Sequence, residues 1–150
     1  MIRIPATVEL LKAIMPREIQ LLDDGLACLD VLDDRVLHEC GIVFMEEGHP
    51  IGAIVAYPVY EGVVSGMVLL SEELVENHWM AFAFRTRKEI ERVMASGQVR
   101  RLQAIVMDGA PIARKFAEWL GLECENPEGR PMRNYSVGGL YDCWMYARVA

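Results

Sequence analysis

The stretch that most restricts the fold is Leu102 to Asn126. It opens with a short apolar run, Leu102 to Met107, of strand length. Asp108 and Gly109 interrupt that run. Asp108 is a residue type that caps a helix by accepting backbone N–H bonds, and Pro111 suits a first turn because it lacks an N–H. Ile112, Phe116, Trp119 and Leu120 then recur at helical spacing. Gly121 follows, where a left-handed cap is expected, and Leu122 to Cys124 can start another strand. The segment predicts strand, helix, strand, with the helix lying on a sheet.

Three apolar runs come before it: Leu37 to Glu46, Ile51 to Tyr57 and Val63 to Leu70. Glu47-Gly48-His49-Pro50 separates the first two as a turn, and Pro58 through Glu61-Gly62 separates the next two. Two successive hairpins predict an antiparallel meander. The runs are apolar on nearly every residue, so both faces of this sheet should be covered. At the N-terminus, Ile2 and Ile4 flank Arg3, which makes Met1 to Pro5 a first strand. Thr7 can cap a helix carrying Val8, Leu11 and Met15. Pro16 opens a second helical segment with Ile19, Leu22 and Leu26 on one face, and Asp33 and Arg35 mark a polar connection. After the meander, a long amphipathic helix is expected from near Asn77 or His78, with Trp79, Ala83, Thr86, Ile90, Val93 and Met94 on its apolar stripe. Ser96-Gly97 ends it. Beyond Leu122, Asn126 to Pro131 is a loop by composition. Met132 to Tyr135 and Leu140 to Val149 read as a hairpin across Val137-Gly138-Gly139.

A chain of 150 residues, 53% hydrophobic, is enough for one domain with a sizeable core. The net charge is −7 and the densest basic run is only Arg85-Thr86-Arg87-Lys88, which disfavours a nucleic-acid partner. The four cysteines and three histidines are scattered, with no CxxC pair, so no metal site is expected and reduced thiols are the simplest account. No signal-peptide core and no run of ~20 apolar residues is present. A soluble, intracellular chain without membrane contact is the expectation.

The element order is strand, two short helices, three strands, long helix, strand, helix, two strands. This order, over essentially the whole chain, resembles the GNAT acyltransferase superfamily. So does the ending Phe116-Ala117-Glu118-Trp119-Leu120-Gly121-Leu122. The fourth helix of that superfamily commonly ends in leucine, tyrosine, glutamate, any residue, leucine, glycine, phenylalanine. The chain looks most like the short GNAT-like proteins of tailed bacteriophages, some of them internal or assembly-associated virion proteins. That similarity rests on Glu46-Glu47-Gly48-His49-Pro50-Ile51, Leu69-Leu70-Ser71-Glu72-Glu73, the Phe116 to Leu122 ending and Tyr146-Ala147-Arg148-Val149. The implied fold is α/β, with a mostly antiparallel central sheet of six or seven strands and about four helices.

The resemblance also implies a cofactor, acetyl-CoA. In the superfamily the third meander strand splays from its neighbour and its backbone binds the pantetheine arm. That places Leu69, Leu70 and Ser71 along the arm, with Asn77 and His78 as polar groups near the pyrophosphate at Glu76 to Met80. A glycine-rich loop normally cradles that pyrophosphate, because the backbone must approach closely at a helix N-terminus. Here no glycine lies between Ser71 and Phe84, and Glu72, Glu73 and Glu76 stand in its place. Carboxylates so placed would repel phosphates. Arg85 or Arg87 could reach a phosphate, and Asn77 could instead cap the helix. Ala117 takes the position where many members carry the tyrosine that protonates the leaving thiolate, and Ala110 one where an asparagine often sits. Neither can donate a proton. Replacement acids are Tyr57, Tyr60 and Tyr135, with Glu46 or Glu61 as base. Two functions stay open. One is acetyl transfer from CoA to an amine. The other is a non-catalytic protein, acting in the host cytoplasm or the virion through contacts with other phage proteins or with itself.

Overall fold

The computed structural model describes residues 1–14, 32–133 and 142–150. Among them are strands β1 (Ile2–Pro5), β2 (Gly41–Glu46), β3 (His49–Tyr60), β4 (Val63–Leu70), β5 (Arg101–Met107), β6 (Glu123–Cys124) and β7 (Cys143–Val149). The helices are α1 (Val8–Ala13), α2 (Asp34–Cys40), α3 (Trp79–Ala95) and α4 (Pro111–Trp119). The strands form one seven-stranded sheet in the order β1-β2-β3-β4-β5-β7-β6. Every neighbouring pair is antiparallel except β4 and β5, which run parallel. The expected segment with Ile19, Leu22 and Leu26 lies outside the described residues.

The meander is built by its turns. Glu47 and Gly48 both take positive φ, 47° and 86°, the backbone that a two-residue hairpin needs to match strand twist. The turn is therefore shorter than the composition suggests, and His49 and Pro50 already belong to β3. Pro58 cannot donate to a ladder, and the pairing of β3 with β4 slips between Pro58 and Tyr60.

Alternate residues of β4 enter different cores. Leu69 packs with Leu11, Leu37, Val43 and Val55 under α1 and α2. Val64 joins Leu102, Val106, Trp144 and Tyr146 under α4. Val68 and Leu70 lie against Phe44, Ile51, Leu74 and Phe82 under α3. So α1 and α2 cover one face, while α3 and α4 share the other. Both faces of the meander are covered, as its continuous apolar runs predict.

Three local expectations are corrected. Leu37 to Cys40 is the end of α2 and not the start of a strand. Asp33 caps that helix through Arg35 N–H at 2.8 Å, and Asp34 Oδ1 accepts from Val8 N–H at 2.7 Å, so α2 also holds the start of α1. Asp108 does not cap α4. Ala110 takes the cap position, and Asp108 Oδ1 accepts instead from Trp144 Nε1 at 2.9 Å. Asn77 does not cap the long helix, because helical turns begin at Glu72 and Asn77 lies inside a π-helical turn, Leu74–His78. Other expectations match. Thr7 Oγ1 caps α1 through Leu10 N–H, Pro111 sits in the first turn of α4, and Gly121 follows α4 at φ 85°. Of the expected last hairpin, the described part is the strand β7 and a bridge between Met132 and Cys143.

Candidate functional site

The sheet parts between its two parallel strands. Val63, Val64 and Ser65 pair with Arg101, Leu102 and Gln103, and there the ladder ends. Both strands continue, to Leu70 and Met107. The result is a wedge, closed at Val63 and open toward Ser71, as the GNAT resemblance implies.

The residues singled out from the sequence fall at opposite ends of this wedge. Tyr57 stands opposite Ser65 and Tyr60 opposite Val63, and Glu61 is in the turn that follows. Leu69, Leu70 and Ser71 stand at the open end. Eight residues of strand span roughly 26 Å, so Tyr60 or Glu61 cannot share one small site with Ser71. Tyr57 packs on the α1–α2 side of the sheet, and Tyr60 is 68% exposed. Tyr135 lies outside the described residues.

Glu46 does reach the open end. Its Oε2 lies 2.6 Å from the amino group of Met1, which holds its carboxyl below the usual carboxylate range. Its Oε1 lies 3.9 Å from His78 Nε2. Beside it, His49 Nε2 is 2.8 Å from Glu73 Oε2, and that hydrogen bond raises the pKa of the imidazole. Glu46 and Glu73 are thus paired with neighbouring histidines, and Asn77 is exposed.

The backbone where a phosphate cradle would lie is committed to a helix. Ser71 is 6% exposed, and its Oγ accepts from Leu74 N–H at 3.1 Å. The Ser71 carbonyl accepts from Val75 N–H at 3.2 Å. Leu74 enters the core from this turn, and Gly52 makes room for it: a Cβ at position 52 would stand 2.3 Å from Leu74 Cδ1. Ser71→Ala removes the hydroxyl cap and is expected to cost about 0.5–2 kcal/mol. Urea unfolding of the two proteins measures this, and equal midpoints would show that the hydroxyl does not hold the turn.

Over the open part of the wedge, rings from α3 and α4 meet. Trp79 and Phe116 lie with centroids 4.9 Å apart, and Phe116 stacks on Trp119 at 6.1 Å. Trp79 also stacks on Phe82, whose ring meets the edge of Phe44 at 5.1 Å. Phe116 packs against the cores under both helices. Of the cations named as phosphate ligands, Arg87 lies over Trp119 at 5.1 Å and pairs with Glu91 at 3.3 Å.

Ala117 is 6% exposed and belongs to the core with Leu102, Val106, Trp144 and Tyr146. Position 117 therefore packs against β4 and β5, the strands that border the wedge, and its side chain offers no proton. Ala110 is buried in the same core.

Sequence reasoning missed one polar network. Tyr146 is fully buried, yet its hydroxyl accepts from Arg114 Nε and donates to Glu118 Oε1, both at 3.1 Å. Burial pushes this phenol up, with Arg114 opposing the shift. Arg114 also lies 3.9 Å over the Trp144 ring. The signal was available: Arg114 and Glu118 are four residues apart, on one face of α4. The network fastens α4 to β7, and its phenol proton is committed to Glu118.

Among the described residues, no group of three His, Cys, Asp or Glu side chains could hold a metal ion, and no helix is long and apolar enough to cross a membrane.

No protein-family model matches the sequence, and no curated protein matches it. The fold does match solved structures. Ard1 from Thermoplasma volcanium superposes with a TM-score of 0.74 at 12% identity, over 99% of this chain and 97% of that one. A GNAT-family acetyltransferase from Bacillus anthracis gives 0.64 at 11% identity, over 98% and 93%. An IAA acetyltransferase from Bacillus cereus gives 0.61 at 15% identity, over 99% and 97%. The fold is therefore GNAT-like: a seven-stranded, mostly antiparallel sheet with helices on both faces.

Proposed function

We propose that this chain is a GNAT-fold protein that does not transfer acetyl groups and acts through protein–protein contacts. The observation that carries this is the junction after β4, where a helix begins at Glu72 under a Ser71 cap. A phosphate cradle needs N–H groups free to point at the ligand. Here the N–H groups of Leu74 and Val75 are taken by Ser71. Glu72, Glu73 and Glu76 add negative charge at the same place. The residues present do not fit the pyrophosphate of acetyl-CoA, and no catalytic step is derived through it. The buried Ala117 and the Trp79–Phe116 contact over the wedge support the same conclusion. The sequence resemblance suggests a setting, the assembly of a tailed phage particle with other phage proteins as partners.

One observation favours acetyl transfer instead, namely the parting of β4 and β5 after Ser65. A titration with acetyl-CoA separates the two. A ligand at ~100 times its dissociation constant stabilises a fold by about 2.7 kcal/mol, which for a domain near this size raises the melting temperature by roughly 5–10 °C. No shift is expected at millimolar acetyl-CoA, nor any CoA release above the buffer rate across a panel of amines. Turnover near ~1 s⁻¹, low but ordinary for an enzyme, would overturn the proposal.

A further inference from the structure

The helical turns that follow β4 are tied to the β2–β3 hairpin by two crossed pairs. His49 Nε2 lies 2.8 Å from Glu73 Oε2, and His78 Nε2 lies 3.9 Å from Glu46 Oε1. The hairpin supplies Glu46 and His49, and the turns supply Glu73 and His78. Each side thus contributes one carboxylate and one imidazole. All four side chains are partly open to solvent, so protons reach them without unfolding. The turns are also a unit distinct from α3. They include the π-helical turn Leu74–His78, a form that is rare and frequent at functional sites. His78 takes φ −130° and ψ 6°, outside the helical region, before α3 begins at Trp79.

We propose that the two pairs form a proton-operated latch, which holds the turns of residues 72–78 on the hairpin in mild acid and loosens as the imidazoles lose their protons. The latch goes beyond the contact role proposed above and would act whether or not the chain transfers acetyl groups.

The charges around the latch set its direction. His49 faces Glu73, Glu47 and Glu46, and Glu46 faces the Met1 amino group, His78 and His49. Glu72 and Glu76 add two carboxylates on the turns. With both imidazoles protonated, each link joins opposite charges. With both neutral, the hairpin carries Glu46 and Glu47 against Glu72, Glu73 and Glu76 on the turns, and like charges repel. The hydrogen bond to Glu73 raises the His49 pKa above the ordinary imidazole value of about 6.5. A group raised in this way stabilises the fold fully below its unfolded pKa, and the contribution fades as pH rises through the folded value. The Met1 amine first, then the two histidines, hold the Glu46 carboxyl below its ordinary range, so its contribution is lost only in stronger acid. The latch therefore holds from about pH 5 to 6.5 and is loose by about pH 8.5.

Backbone amide exchange of the full chain tests this at Leu74 and Val75, whose N–H groups donate to Ser71. Rates are divided by the intrinsic rate at each pH, and the double variant His49→Gln/His78→Gln is the reference. Its melting curve reports that the fold persists. The Met1 amine titrates in both proteins and cancels from the comparison. At about pH 5.5 the wild type should be better protected at Leu74 and Val75 by about two- to fivefold, the range for exposed ion pairs. At about pH 8.5 the two proteins should reach parity. The amide of Thr86, in the middle of α3, should be equally protected in both proteins throughout. His49→Gln alone should show the same trend in smaller measure, and it decides the matter if the double variant does not fold. Equal protection of wild type and variant in mild acid, a ratio that does not fall as pH rises, or a ratio that changes as much at Thr86 would each overturn the proposal.

Discussion

Phe82→Ala should cost about 3–5 kcal/mol of folding stability, the usual loss when a fully buried phenylalanine is truncated. Phe82 has no exposed surface and is seated between Phe44 and Trp79. With Ala83 and Thr86 it forms the buried side of α3, and it shares a core with Phe44, Ile51 and Leu74. A cavity there is bounded by β2, β3 and the helical turn that Gly52 admits, so the site has little freedom to collapse. Against a typical total of 5–15 kcal/mol, the variant should be close to unfolded under mild conditions. Urea unfolding with an unchanged slope and a large drop in midpoint is the expected signature. A loss below about 1 kcal/mol would mean that the ring is not packed as described.

Ala117→Tyr should destabilise the protein and bring no acetyl transfer. The position is 6% exposed among Leu102, Val106, Trp144 and Tyr146. Overpacking a core typically costs ~1–3 kcal/mol, and a hydroxyl buried without a partner adds ~1–3 kcal/mol. Were position 117 on an open cleft, the same change would be close to neutral and would supply a proton donor. A melting temperature equal to wild type, together with CoA release absent from wild type, would therefore return this helix face to the cleft and revive the acyltransferase reading. The expected result is a lowered melting temperature and release at the buffer rate.

The order of elements was legible in the sequence because it rests on local rules. Thr7 caps α1 and Gly121 closes α4 wherever the rest of the chain goes, since each acts within a turn of its own position. The apolar runs of the meander had to become strands covered on both faces. The absence of glycine between Ser71 and Phe84 already departs from the glycine-rich phosphate loop that the GNAT resemblance implies. With the strand order they imply, these residues determined the GNAT-like topology and the doubt about its chemistry.

Other features depended on groups far apart in the chain, which no local pattern records. Leu37 to Cys40 belongs to a helix that Asp33 caps locally through Arg35 N–H, but the bond from Val8 N–H to Asp34 that ties this helix to α1 crosses 26 positions. Asp108 is a good cap by type, yet the Trp144 indole, 36 positions on, takes its carboxylate. Tyr57, Tyr60 and Glu61 follow β3 into the closed end of the wedge, while Ser71 and His78 lie at the other end of β4. Their separation is set by strand length, and so residue type alone suggested a shared site that the sheet does not build. The tie that Arg114 and Glu118 make to the buried Tyr146 hydroxyl, which fastens α4 to β7, spans 32 and 28 positions. A hydrogen bond to a buried phenol is costly to leave unmade. That cost is visible only once β7 lies under α4.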